Sequence, residues 1–288
     1  MPLRELDGLV AVVTGAGSGL GRAIAVALAG DGMRVALLGR TDVTLQETAT
    51  MIEQAGGEAV ALVADLRDPG AVGDAVDAAA GRWGGVDVLV NSAAVGVFRS
   101  LESTDMAGWD EVIGTNLGGA FAAIHAVLPH LRRRGGGRIV NLASRSAEEG
   151  YPYLAAYSAS KHGLVGLSES VDTELQDEGI ACSALILGSV DTPFHARTIA
   201  EGDSAVTAAV LRGAEEASRL PHPDPVGFLD AADVAEVVAF ICRLPLGMHL
   251  SRLSLRPAHD SGPADLLRMV RRGRAALADD AVSPQRDP

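Results

Sequence analysis

The stretch TGAGSGLGRA, residues 14–23, decides the fold. It follows a short apolar run, LVAVVT (9–14), and leads into an apolar segment of helical length (19–30). Glycine permits a tight turn and a close approach of the backbone to a ligand. Free N–H groups and the positive dipole at the start of a helix favour a phosphate. The order strand, glycine turn, helix therefore predicts a dinucleotide-binding loop, with a glycine turn that binds nothing as the alternative.

The same alternation of short apolar runs and longer helical patterns continues along the chain. The other predicted strands are RVALLG (34–39), AVALVA (59–64), VDVLVN (86–91), RIVNLA (138–143), ACSALIL (181–187) and LSRLSLR (250–256). The predicted helices cover 19–30, 43–55, 68–83, 105–134, 154–178 and 230–243. Continuously apolar strands are typical of a parallel sheet buried on both faces. We therefore expect an α/β fold, a doubly wound parallel sheet of about seven strands with helices on both faces and right-handed crossovers.

Two segments interrupt this rhythm. Residues 189–229 are long for a connection and contain helical patches and a proline-rich run, which favours a lid. The tail 261–288 has one short amphipathic stretch followed by DDAVSPQRDP, and we expect its last ten residues to be disordered. The sequence thus predicts one domain over 1–260, with a lid insertion and a partly disordered carboxyl-terminal tail.

Composition and charge argue against several classes of function. The net charge of −13 argues against nucleic-acid binding, which needs a basic footprint. We find no apolar run near the roughly 18 residues of a membrane helix, and the start MPLRELDG carries acids where a signal peptide has basic and then apolar residues. The two cysteines lack metal or redox spacing. We expect a cytoplasmic protein with reduced thiols, no metal site and no membrane or nucleic-acid partner.

A second motif, YSASK at 157–161, carries the candidate chemistry. All three tyrosines of the chain fall within 151–157, and Lys161 follows Tyr157 by four residues. On a helix, residues four apart share one face. A nearby ammonium favours the phenolate form, so the pair predicts a tyrosine that exchanges protons. The alternative is a coincidence on a helix surface.

The second predicted strand ends in ALLGRT, so Gly39 stands where an NAD-binding protein places an acid. Arg40 and Thr41 follow, and a cation with a hydroxyl would suit the 2′-phosphate of NADP. The alternative is an ordinary solvated arginine at the end of a strand.

These motifs, in this order, resemble the short-chain dehydrogenase/reductase family over residues 8 to about 256. The resemblance rests on TGAGSGLG, Asp65–Leu66, NSAA at 91–94, Asn116, Ser144 and YSASK. It implies a single-domain Rossmann-type fold. The family usually has N-N-A-G where this chain has NSAA, so Ala94 adds a methyl group near the cofactor.

The resemblance also implies roles for individual residues. Tyr157 would be the general acid or base, Lys161 would bind the nicotinamide ribose and lower the tyrosine pKa, and Ser144 would hold the substrate oxygen. Asn116 would hold a water that connects to the lysine. Other positions matched to the cofactor are Gly15, Ser18, Gly19, Leu20, Gly21, Arg40, Thr41, Asp65, Leu66, Asn91, Ala93, Gly188, Val190 and Thr192.

The expected activity is NADP(H)-dependent interconversion of a ketone and a secondary alcohol by hydride transfer. The alternatives are an NAD(H)-linked alcohol dehydrogenase of the same fold and a dinucleotide-binding regulatory protein without turnover. A small carbonyl compound or alcohol is the expected substrate. Two helical segments rich in small residues, 105–134 and 154–178, and the resemblance both favour a homodimer or homotetramer.

Overall fold

A seven-stranded parallel sheet forms the centre of the computed structural model, which describes residues 2–218, 227–257 and 262–282. Its strands are β1 (Val10–Thr14), β2 (Arg34–Gly39), β3 (Glu58–Val63), β4 (Val88–Asn91), β5 (Gly137–Ser144), β6 (Ile180–Leu187) and β7 (Arg252–Leu255). They are ordered β3-β2-β1-β4-β5-β6-β7, and each neighbouring pair is parallel. The predicted doubly wound α/β fold is confirmed.

Ten α-helices are found within the described residues. They are α1 (Gly19–Gly30), α2 (Asp42–Gln54), α3 (Pro69–Trp83), α4 (Met106–Ile113), α5 (Gly119–Arg133), α6 (Ala155–Leu175), α7 (Pro193–Ala200), α8 (Ser204–Ser218), α9 (Ala231–Arg243) and α10 (Pro263–Val282). One apolar cluster joins α1, α2 and α9 to one face of the sheet. A second joins α3, α5 and α6 to the other face. Because both faces are covered, every residue of β1 and β6 is buried, as the continuous apolar runs predicted.

Helices α4 and α5 form one continuous rod through a π-helical turn, Gly114–Gly118. The rod, Met106–Arg133, has 28 residues and a mean hydropathy of 1.4 in its most apolar window, so by length and composition it could cross a membrane. The expectation that the protein has no membrane partner therefore stays a prediction. Half of that window is buried inside the protein, and a core helix passes the same test, so this is weak evidence for a membrane span.

The two ends of the insertion between β6 and α9 lie side by side. Val190 pairs with Leu229 in an isolated parallel bridge, and Leu229 N–H donates to Ser189 O at 2.8 Å. The insertion contains α7 and α8, while residues 219–226 of the predicted lid lie outside the described residues. Both ends of the insertion are thus held next to the carboxyl-terminal end of β6.

The carboxyl-terminal helix α10 packs against α8. Val270 of α10 is buried with Phe98, Val206 and Val210, and Leu266 contacts this cluster. Arg274 lies over the ring of Tyr153, 5.7 Å from its centroid. The amphipathic stretch of the tail is therefore a helix on the lid. The last ten residues, 279–288, were expected to be disordered. Residues 279–282 instead belong to α10, and residues 283–288 lie outside the described part of the chain.

We predict that α10 contributes to stability. Ending the chain at Gly262 exposes the partners of Val270, which is 1% exposed. Burial of one valine is worth about 1.5–3 kcal/mol, and each kcal/mol moves the Tm of a domain of this size by about 2–4 °C. The Tm of this truncation, measured by calorimetry, should fall by at least about 3 °C.

The matched control is a chain that ends at Val282 and keeps the whole of α10. It should melt within about a degree of the full chain, because residues beyond the helix hold little apolar bulk. Equal melting of all three chains would mean that α10 adds no stabilising contact.

Candidate active site

A cleft of about 390 Å³ opens at the carboxyl ends of the parallel strands, where ligands bind in sheets of this type. Most of the residues predicted for the site line it: Gly15, Ser18, Gly19, Leu20, Gly21, Arg40, Thr41, Asp65, Leu66, Ala93, Ser144, Tyr157, Lys161, Gly188, Val190 and Thr192. The fold thus brings to one cavity residues that lie up to 177 positions apart in the sequence, from Gly15 to Thr192.

Two predicted residues, Asn91 and Asn116, are buried behind the wall of this cleft. Asn91 Nδ2 donates to Asn141 Oδ1 at 2.9 Å, so Asn91 joins β4 to β5 rather than lining the ribose side. Its neighbours in the NSAA motif, among them Ala94, form the wall instead. Further residues line the cleft that the sequence analysis did not assign to the cofactor or to catalysis, namely Gly17, Thr44, Ser92, Val95, Thr115, Leu142, Ala143, Phe194, His195 and Arg197.

Two glycines make the turn after β1 possible. Gly15 has φ +68°, and a Cβ there would lie 2.8 Å from Ala93 Cα. A Cβ on Gly21 would lie 2.3 Å from Gly15 O. Any side chain at either position would displace backbone, so the glycines hold α1 against the turn and the turn against the end of β4.

The start of α1 faces the cleft with unpaired donors. The side chain of its N-cap, Ser18, makes no capping hydrogen bond, and Ser18 itself lines the cleft. The first N–H groups of a helix have no partner within the helix, and the helix dipole adds positive charge there. Gly19, Leu20 and Gly21 therefore form a site for the phosphates of a dinucleotide.

At the far end of the cleft, Asp65 is held by a residue that the sequence analysis missed. Arg67 Nη2 lies 2.6 Å from Asp65 Oδ2, and its Nε lies 3.1 Å from Asp65 Oδ1. The hydrogen bonds from Arg67, together with its charge and that of Arg40, lower the pKa of Asp65 to about 2. Asp65 is thus a fixed carboxylate at neutral pH, turned toward Arg67.

Arg40 and Thr41 line the same end of the cleft, next to Gly39. The Arg40 side chain is half exposed, and its Nη1 lies 4.0 Å from Glu111 Oε1 on α4. An exposed ion pair of this length contributes little. The Arg40 guanidinium can therefore turn toward an anionic group in the cleft at small cost.

The Thr115 hydroxyl is a buried polar group without a hydrogen-bond partner among the described residues. Its side chain lies in the π-helical turn, lines the cleft and is 7% exposed, and within the described part of the chain its Oγ1 has no hydrogen-bond partner. Buried polar groups are normally satisfied. Together with the glycine turn, this orphaned hydroxyl fits a cleft built for a polar ligand such as a dinucleotide.

Ser144, Tyr157 and Lys161 meet at the other end of the cleft. Ser144 is the last residue of β5, and Tyr157 and Lys161 lie one turn apart on α6. The Ser144 hydroxyl lies near the Tyr157 hydroxyl and acts to lower the pKa of Tyr157. Lys161 Nζ donates to Leu142 O at 2.8 Å and lies 5.7 Å from the centroid of the Tyr157 ring. The predicted pairing of tyrosine and lysine on one helix face is confirmed.

Burial shifts the pKa values of Tyr157 and Lys161 away from those of the free side chains in water. Burial of the phenol raises the pKa of Tyr157 to about 12, against a smaller opposite effect of the Ser144 hydroxyl. Burial lowers the pKa of Lys161 to about 8. Burial is the largest influence on the Tyr157 pKa, and the expected lowering by Lys161 stays a prediction. Tyr157 is protonated at neutral pH.

Asn116 connects the loop after β4 to α6. Its Oδ1 accepts from Val95 N–H at 2.8 Å, and its Nδ2 donates to Val95 O at 2.9 Å and to Ser160 Oγ at 3.0 Å. These bonds fix the wall at Val95 relative to the residue that precedes Lys161. The structure thus assigns Asn116 a positioning role by its side chain.

Comparisons with known proteins show which family the chain is similar to. The sequence model of the family described as short chain dehydrogenase matches residues 9–202. A protein of Streptomyces coelicolor assigned as a ketoacyl reductase is 38% identical over 82% of this chain and 90% of its own. The 3beta-hydroxysteroid dehydrogenase 1 of Eggerthella lenta is 35% identical over 82% of this chain and 87% of its own.

Solved structures give the same result. A metagenomic short-chain oxidoreductase in complex with NADP is similar, with a TM-score of 0.72 and 30% identity, over 88% of this chain and 99% of that chain. Nearly all of that protein is thus matched, while about a tenth of the present chain has no counterpart in it.

Two neighbouring substitutions separate ligand binding from stability. Thr115→Val removes a buried hydroxyl that has no partner, so the Tm should stay constant or rise slightly, since an unsatisfied group costs about 1–3 kcal/mol. If the hydroxyl serves the dinucleotide, calorimetric titration should give a Kd for the cofactor that is about 3–10-fold higher, for the loss of about one hydrogen bond.

Asn116→Ala is the matched comparison, because it breaks three hydrogen bonds of a buried side chain, worth about 1 kcal/mol each. Its Tm should fall by several degrees. A drop in Tm for Thr115→Val as large as that for Asn116→Ala would show that the Thr115 hydroxyl has a structural partner instead.

Proposed function

The chain belongs to the short-chain dehydrogenase/reductase family, a family of oxidoreductases, and we propose that it is the NADP(H)-dependent member that interconverts a ketone and a secondary alcohol. The observation that carries the proposal is that Ser144, Tyr157 and Lys161 line one end of a cleft whose other end holds Arg40. Two hydroxyl groups then meet where a carbonyl oxygen would bind. A catalytic site without these groups would have no proton to give to the reacting oxygen.

Reduction of a ketone builds negative charge on its oxygen, which needs preorganised donors. The bound cofactor supplies the hydride. In our mechanism, Ser144 Oγ–H and Tyr157 Oη–H hold the carbonyl oxygen, and Tyr157 gives its proton to the developing alkoxide. The raised pKa keeps Tyr157 in the protonated form that this step requires.

Lys161 is proposed to stabilise the phenolate that remains. Its ammonium is one helical turn from Tyr157 and fixed by Leu142 O, so little reorganisation is needed when charge develops. In the resting protein burial dominates the Tyr157 pKa; in the reacting complex the added positive charge of the oxidised cofactor would act in the same direction as Lys161.

The choice of NADP(H) rests on Arg40 and Thr41 and on the absence of an acid at position 39. A planar guanidinium can bind a phosphate through two parallel hydrogen bonds. The relative solved with NADP supports a nicotinamide dinucleotide in this cleft and is in line with the phosphorylated form. A second solved relative, the alcohol dehydrogenase of Thermococcus sibiricus, is complexed with 5-hydroxy-NADP.

Tyr157→Phe tests the chemical step. The variant should fold and bind the cofactor nearly as the wild type does, while kcat for ketone reduction falls by about 10²–10⁴-fold, the usual contribution of a general acid. Turnover is measured with a panel of ketones by following NADPH absorbance. A Tyr153→Phe variant is the control, since Tyr153 lies on the same segment without a hydrogen bond to Ser144 among those described. Turnover of Tyr157→Phe near the wild-type value would remove Tyr157 from the mechanism.

The cofactor preference is tested with the double variant Gly39→Asp, Arg40→Leu. A Cβ at position 39 would lie 3.4 Å from Leu45 Cδ2, an ordinary contact, so the fold should accept the aspartate. Wild type should bind NADPH about 10–100-fold more tightly than NADH, since a hydrogen bond to a charged group is worth about 1.5–3 kcal/mol. The variant should reverse this order in fluorescence titrations. Equal or tighter NADH binding by wild type would favour the NAD-linked alternative.

Assembly and location complete the proposal, which includes a cytoplasmic homodimer or homotetramer. Phe121 on α5 is 57% exposed and stacks on His125, which leaves an apolar patch on the outer face of the rod. Phe121→Asp should therefore weaken assembly. Light scattering at micromolar concentration should give at least twice 29.5 kDa for wild type and a smaller mass for the variant. A wild-type mass of one chain would contradict the proposed oligomer.

A further inference from the structure

Phe194, the second residue of α7, lies against the proposed catalytic tyrosine. The ring centroids of Phe194 and Tyr157 are 5.6 Å apart, and their planes are tilted by 41°. Phe194 lines the cleft and was missed by the sequence analysis. It lies next to the residues that would hold a carbonyl oxygen.

Gly96, in the loop after β4, completes this contact. A Cβ on Gly96 would lie 3.0 Å from Phe194 Cζ and 3.3 Å from Tyr157 Cδ2. The three residues come from three different elements, and the space among them does not hold even a methyl group without displacement. Phe194 and Gly96 therefore close one side of the site in which Tyr157 works.

The backbone that carries Phe194 is fixed by its surroundings. Phe98 N–H donates to Thr198 O at 3.2 Å, and Asp203 N–H donates to Phe98 O at 2.8 Å, so both α7 and the residue before α8 are bound to the loop after β4. Thr198 Oγ1 in turn donates to Phe194 O at 2.8 Å. A substrate can make room only by turning the Phe194 ring, because the helix itself is held.

We infer that Phe194 is the specificity-determining residue on the lid side of the substrate site, an inference that rests on the proposed function. With its oxygen at Tyr157 and Ser144, a ketone must direct one of its two substituents toward the Phe194 ring. The contact of Phe194 with Gly96 and Tyr157 restricts the space on this side, so the smaller substituent is favoured there while the other extends toward the opening. The enzyme therefore selects ketones with one small substituent over ketones with two large ones.

The test uses three phenyl ketones, acetophenone, propiophenone and butyrophenone, which differ only in the length of the alkyl group. One methylene in an apolar pocket typically changes kcat/KM by about 10–200-fold. For wild type, kcat/KM with NADPH should fall by at least about tenfold at each step. Phe194→Ala should reduce the acetophenone-to-butyrophenone ratio by at least tenfold, and Phe194→Leu should give an intermediate ratio.

Phe228→Ala is the matched control. Phe228 belongs to the same row of rings, with its centroid 5.8 Å from that of His195, and it is 55% exposed. Its removal should leave the ratio of the two ketones as in wild type. Should Phe194→Ala lose NADPH binding, Phe194→Leu decides the question with the same ratio.

The inference is overturned if Phe194→Ala or Phe194→Leu keeps the wild-type ratio while binding NADPH normally, or if Phe228→Ala changes the ratio as much. Absence of turnover of all three ketones by wild type and both Phe194 variants also overturns it. The proposed function falls separately, only if a wider panel of ketones and secondary alcohols gives no turnover either.

Discussion

The close approach of three backbone segments at Gly15 is the constraint on which the rest of the structure depends. The Gly15 N–H is bound to Leu38 O at 2.8 Å, Ala93 lies against its Cα, and Gly21 lies against its carbonyl. One turn thus joins β2, the end of β4 and the start of α1. Because these segments meet without side chains between them, the first N–H groups of α1 face the mouth of the cleft. The position of α1 sets one end of the site, and the sheet fixes the position of the other end relative to it.

The second end depends on burial rather than on close backbone contact. Ser144 lies on the strand next to β4, and α6 places Tyr157 and Lys161 against it. Desolvation raises the pKa of the phenol and lowers that of the ammonium, so each group carries a charge less readily than it would in water. In the proposed mechanism, such a site keeps the proton on Tyr157 until charge develops on the substrate. The same burial makes a fixed hydrogen bond, such as that of Lys161 to Leu142 O, stronger than it would be at the surface.

Helix α7 of the lid adds an aromatic wall to the site. The match to the family model covers residues 9–202, and α8, α9 and α10 follow it. Helix α10 packs on α8, and α7 is bound to the loop after β4 through Phe98 and Thr198. These contacts place aromatic rings beside Tyr157 while the chemical groups remain those of the sheet and α6. Under the two proposals, the chemical step and the selection of substrate depend on different layers of the molecule, an arrangement that lets one fold serve many substrates.

The sequence by itself determined the sheet, its two covered faces and most of the cleft, because burial on both faces and a glycine turn each leave a local pattern that needs no partner to be recognised. Tyr157 and Lys161 were predicted for the same reason, since four residues on a helix fix one face. Only the tertiary structure decided that Asn91 and Asn116 lie behind the wall, that Arg67 holds Asp65, and that Phe194 meets Gly96. It also decided the direction of the Tyr157 pKa, because desolvation depends on every element packed around a group and not on its neighbours in sequence.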